Sequence, residues 1–104
     1  IMAESPVVGD VRGLGMLLAV ELVADKASKA SFPPSFMANE KIRLQGLKHG
    51  VMLYARPTPG SAHGHWFMVA PPLTITESET AELLRRTRAA VDGFRDEAAA
   101  AGLI

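Results

Sequence analysis

From Val7 the chain alternates only weakly between apolar and polar positions. Val7-Val8-Gly9-Asp10-Val11-Arg12-Gly13-Leu14-Gly15 leads into the apolar run Met16–Val20, continued by Glu21-Leu22-Val23. Such a run suits a strand covered on both faces, spanning 10–23, with a helix over Leu14–Val23 as the competing reading because Met, Leu and Ala favour it. Gly13 and Gly15 then mark a bend or bulge. Ala24–Phe36 is small and polar, ends in the stiffening pair Pro33-Pro34, and reads as a loop. Ala38, Ile42 and Leu47 share one side of a helix over 37–49, with charges between them. Lys48 and His49 complement its negative end, and Gly50 suits the left-handed residue just past it.

Val51–Ala55 is short and apolar and predicts a strand over 51–55; Arg56–Gly64 is loop chemistry; Trp66–Ala70 predicts a strand over 66–70, closed by Pro71-Pro72. Thr76-Glu77-Ser78-Glu79 is a capping box that opens a helix over 77–100. Leu84, Thr87, Val91, Phe94 and Ala98 recur at helical spacing as its buried face, Glu82 and Arg86 form an i,i+4 pair, and Gly102 ends it. The order is β-α-β-β-α. It predicts one two-layer α+β domain over 1–104, with helices on one face of a small, mainly antiparallel or mixed sheet.

Composition narrows the function. The 104 residues carry 11 basic and 11 acidic side chains and no cysteine. Zero net charge argues against a nucleic-acid or anionic-membrane partner, which a basic excess would serve. Without cysteine there is no disulfide framework, thiolate zinc site or cysteine nucleophile. The longest apolar runs fall far short of the ~20 residues of a membrane-spanning helix. The first residues hold no basic region and no apolar signal core, and the expected location is cytoplasmic. The start at Ile1 suggests a piece of something longer.

No complete catalytic constellation emerges. Gly13-x-Gly15 lacks the third glycine of a dinucleotide fingerprint, since Leu18 stands in its place. His63-x-His65 has no third ligand nearby and His49 sits at a helix end, so no metal site is expected and the histidines read as residues lining a loop or cleft. Ser61 lacks the turn pattern of a serine nucleophile. Arg12, beside two glycines, reads as a structural tie to backbone or carboxylate. Arg85, Arg86 and Arg88, balanced by Glu82 and Asp92, read as a solvated helix face. Arg56 follows an apolar strand, and Pro57 stiffens the chain after it. A guanidinium there can clamp a carboxylate through two parallel hydrogen bonds, and a surface ion pair is the plainer alternative.

Several segments, in order, resemble the class III aminotransferases, pyridoxal-phosphate enzymes of fold type I. They are Gly9-Asp10-Val11-Arg12-Gly13-Leu14-Gly15-Met16-Leu17 with Glu21-Leu22-Val23, then Lys48-His49-Gly50-Val51, Leu53-Tyr54-Ala55-Arg56-Pro57, and Val69-Ala70-Pro71-Pro72-Leu73-Thr74-Ile75-Thr76. The resemblance runs from about Val7 to Phe94. It implies the C-terminal small domain of an enzyme several times longer, with pyridoxal 5'-phosphate held by a lysine upstream of this chain. Lys26, Lys29, Lys41 and Lys48 do not match that lysine.

The resemblance also gives Arg56 a role. Pyruvate-linked omega-transaminases carry a substrate-carboxylate arginine in this Arg-Pro step. The branch resembling ornithine aminotransferases places its arginine where this chain has Met68. The expected function is therefore carboxylate recognition by Arg56 in an enzyme moving an amino group from an amine or amino acid to a keto acid such as pyruvate. That enzyme is expected to be a homodimer, with this chain alone inactive and binding no cofactor. A non-catalytic binding or interaction module of the same shape is the alternative.

Overall fold

A computed structural model of the chain describes residues 4–56 and 65–104. Four strands form one antiparallel sheet, β1 (Val8–Leu14), β2 (Leu17–Leu22), β3 (Tyr54–Arg56) and β4 (His65–Val69), in the order β1-β2-β4-β3. Two helices, α1 (Ala38–Lys48) and α2 (Glu77–Ala100), join them, and a short 3-10 turn spans Pro34–Phe36. The α+β class and the antiparallel sheet match the expectation.

The single strand over 10–23 does not form. The run folds back as a hairpin in which Leu14 faces Leu17 across a two-residue loop, Gly15-Met16. Gly15 has φ 61°, and a glycine with positive φ in the first loop position matches the right-handed twist of the flanking strands. Gly13 has φ 149°, and a Cβ there would collide with the Leu17 carbonyl oxygen. The glycines thus mark a reversal rather than a bend. Only one face of β2 enters the core, through Val20 and Leu22, while Leu17 is exposed. The apolar run therefore did not report burial on both faces.

β3 starts later than read: Val51 and Leu53 are buried ahead of it, and the ladder begins at Tyr54. β4 begins one residue earlier, at His65. The helices begin and end close to expectation. The Thr76 hydroxyl accepts from the Glu79 N–H at 3.2 Å, and the Glu79 carboxylate accepts from the Thr76 N–H at 3.1 Å, completing the capping box. Both helices close with paired reverse bonds around a left-handed glycine. For α1 these are Val51 N–H to Gly46 O at 2.8 Å and Gly50 N–H to Leu47 O at 3.2 Å, with Gly50 at φ 81°. For α2 the matching pair is Leu103 N–H to Ala98 O and Gly102 N–H to Ala99 O, both 3.0 Å.

The core lies between the sheet and the helices: Val20, Leu22, Phe67 and Val69 below, Ala38, Ile42, Val91, Phe94 and Ala98 above. Two predicted core positions differ. Leu47 is 48% and Leu84 38% exposed, while Gly46 and Ala90 are buried. A side chain at Gly46 would press against the Val51 carbonyl, so the helix approaches the following segment there and Leu47 turns to water. The loop 24–36 also contributes to the core. Phe32 stacks on Phe36 with ring centroids 5.2 Å apart and meets Phe94 edge-on at 5.3 Å. No helix among the described residues is long and apolar enough to cross a membrane.

Candidate functional site

Arg56 is the last residue of β3, and the ladder sets its backbone opposite Trp66 of β4. Trp66 lies opposite Glu21 of β2, and Glu21 opposite Asp10 of β1. Arg56, Trp66, Glu21 and Asp10 therefore form one row across the sheet. The parallel row is Tyr54, Met68, Ala19 and Arg12. Positions along a strand alternate between faces. Val20, Leu22, His65, Phe67 and Val69 fill the helix side, so Tyr54, Met68, Ala19 and Arg12, with Trp66, Glu21 and Asp10, make the sheet's other face; the side chain of Arg56 lies outside the described residues.

On that face Tyr54 and Trp66 place their rings 6.2 Å apart, tilted by 44°. Met68 sits half-buried between Ala19 and Tyr54. Arg12 is tied to carboxylates, as read from its setting: its Nε lies 3.2 Å from Asp10 and its Nη2 4.0 Å from Glu21. At 68% exposure this tie contributes little to stability. What the face offers chemically is an aromatic pair beside the strand end that carries Arg56. An aromatic wall can hold an apolar substituent while a guanidinium takes an anionic one.

His65 is buried, unlike a cleft histidine. Its Nε2 lies 3.3 Å from the Phe32 carbonyl, and its Nδ1 has no hydrogen-bond partner among the described residues. The alternation His65, Phe67, Val69 was the available signal, since it puts the ring in register with two core residues. His63, Ser61 and Pro57 lie outside the described residues, and His49 caps the end of α1. Among the described residues no three histidine or carboxylate side chains gather as a metal would require.

The lysines lie away from this face. Lys29 donates to the Gly9 carbonyl, and Lys26 lies 3.5 Å from the Ser5 carbonyl. Lys41 sits 5.1 Å from the Phe36 ring centre, and Lys48 lies in the last turn of α1. Lys48 and Lys41 each line an open groove on the helical side.

No family model matches the chain. It is 35% identical over 102 residues to the diaminobutyrate–2-oxoglutarate transaminase of Halomonas elongata, a match covering 98% of this chain and 21% of that protein. Its fold superposes on an (S)-enantioselective omega-transaminase from Thermomicrobium roseum with a TM-score of 0.76 and 39% identity, covering 89% of this chain and 19% of that one. A PLP-bound aminotransferase mutant from Vibrio fluvialis gives a TM-score of 0.79 at 30% identity, covering 92% and 20%. The chain thus spans about a fifth of the length of the relatives it matches.

Proposed function

This chain belongs to the aminotransferases, and we propose that it is the C-terminal small domain of a pyridoxal-phosphate-dependent enzyme that transfers an amino group from an amine or amino acid to a keto acid such as pyruvate. The observation that carries the reading is the match to omega-transaminases along nine-tenths of the chain at up to 39% identity. Pyridoxal phosphate supplies the electron sink for such a reaction. The lysine and phosphate cradle that hold it belong, in this reading, to the rest of the parent polypeptide, because none of Lys26, Lys29, Lys41 and Lys48 falls in a segment that resembles the family's cofactor lysine. The parent is a homodimer of cytoplasmic location.

Within that enzyme this chain's part is recognition. Arg56 closes a strand pinned to the central strand β4, so its backbone is fixed relative to Trp66. A bidentate grip by its guanidinium on the substrate carboxylate orients the substrate, and orientation lowers the barrier without any covalent role for the arginine. Met68 stands where the ornithine-like branch keeps its arginine, which favours an acceptor such as pyruvate. The test is to supply the parent enzyme with pyridoxal phosphate, an amine donor and pyruvate, and to follow alanine. A parent that holds the cofactor yet forms no alanine refutes the pyruvate assignment.

A further inference from the structure

The most exposed large apolar side chains leave the sheet at one end. β1 finishes at Leu14 and β2 starts at Leu17, directly opposite. β4 ends beside them, with Val69 opposite Leu18, and β3 starts beside β4, with Tyr54 opposite Met68. Leu14 at this hairpin tip is 91% exposed, Met52 just before β3 is 88%, and Leu73 just after β4 is 87%. Met16 and Leu17 add 39% and 53%.

The three segments that meet here, Gly13–Val20, Gly50–Ala55 and Phe67–Thr76, contain no charged residue. The helical side is the opposite. There Glu40 pairs with Arg43, Glu82 with Arg85 and Arg86, and Asp92 with Arg88 and Arg95, all on partly exposed side chains. Burying that side would strip water from several ion pairs. Burying the sheet end would desolvate no charged side chain of these segments, and charge depletion marks the centre of a protein interface.

We propose that this charge-free end of the sheet is the seat on which the rest of the parent polypeptide packs, through an apolar, uncharged surface of its own. The proposal rests on the aminotransferase reading. A match covering 98% of this chain and 21% of the Halomonas relative leaves about four-fifths of such a polypeptide to be placed around this unit. The hairpin suits the role because its tip is held in shape: Gly13 and Gly15 take backbone angles that lock the reversal, so Leu14 and Leu17 are presented without ordering a loose loop.

The test uses methionines already in the chain. The native parent enzyme is exposed to hydrogen peroxide, and sulfoxide formation at Met52 and Met37 is followed by peptide mass spectrometry. Met37, at the start of α1 on the helical side, is 56% exposed and serves as the internal reference. Met52 is the more exposed in this structure, so an uncovered seat would oxidise it at least as fast. The expected result is Met52 slower than Met37 by about tenfold or more. A smaller ratio overturns the proposal. Protection that disappears when the parent is diluted to monomers also overturns it, because the occupant is then a second copy. Cofactor content is measured on the same sample. A parent without pyridoxal phosphate defeats the aminotransferase reading, while the methionine ratio still decides the seat.

Discussion

Arg86 of α2 reaches across to the end of α1, where its Nη1 donates to the Gly50 carbonyl at 2.9 Å while its Nε holds Glu82 at 2.7 Å. The residue that terminates one helix is thus tied to the flank of the other. The tie stands at the start of the segment leading to β3, and so upstream of Arg56.

Replacing Arg86 with alanine removes both bonds. At 43% exposure the ion pair with Glu82 adds little, so the loss is dominated by the Gly50 bond and amounts to about 1 kcal/mol. Arg85→Ala, which removes only an ion pair of a 70% exposed side chain, is expected to cost clearly less than Arg86→Ala. Urea unfolding of the two variants checks the order; equal losses would show that the Gly50 tie contributes nothing.

The hairpin glycines should differ in a defined direction. Gly15 has open space around its missing Cβ, so Gly15→Ala meets only backbone strain, about 1 kcal/mol. At Gly13 the added carbon meets the Leu17 carbonyl and the Leu18 backbone as well, and the cost rises to about 2–3 kcal/mol. Thermal unfolding of both variants would contradict the hairpin geometry if Gly15→Ala proved the more damaging.

Acid should weaken the start of α2 and its first ion pairs. The Thr76 N–H bound to the Glu79 carboxylate holds its pKa below the usual 4.5, and Arg85, with Arg86 behind it, does the same for Glu82. A carboxylate with a lowered folded-state pKa gives its full stabilisation above the unfolded value. That stabilisation is lost as pH falls through the folded value. Stability is therefore expected to be flat above about pH 5 and to fall below about pH 4.5. Glu79→Gln keeps an acceptor for the Thr76 N–H but cannot titrate, so its stability should fall less steeply in acid. An unchanged acid slope would remove Glu79 from the account.

In the parent enzyme, Arg56→Ala is expected to raise KM for carboxylate substrates and lower their kcat/KM by about 10- to 100-fold, the worth of a charge-assisted bond. Plain amines should change by less than about threefold. Initial rates with a matched pair of donors, one bearing a carboxylate, make the comparison. Similar losses on both would take the clamp role from Arg56.

The signals legible in the chain are local ones. The capping box, the span of α2 and the left-handed glycines at 50 and 102 depend on contacts within a turn of helix, which spacing alone encodes. The resemblance that points to Arg56 is likewise carried by short strings in a fixed order. The reading failed where the partner is distant. Met16–Val20 looked covered on both faces, yet the reversal at Gly15-Met16 makes two strands of it and leaves Leu14 and Leu17 in water.

By itself, then, the order of residues determined the α+β class, the helix ends and the family likeness, because each rests on neighbours in sequence. Only the tertiary structure decided the rest: Phe32 and His65 in the core, Leu47 and Leu84 turned outward, the row running from Arg56 through Trp66 to Glu21, and the charge-free end of the sheet. Each of these depends on which segments meet across long stretches of chain. Burial and register belong to the pair in contact, and neither partner's local sequence contains them.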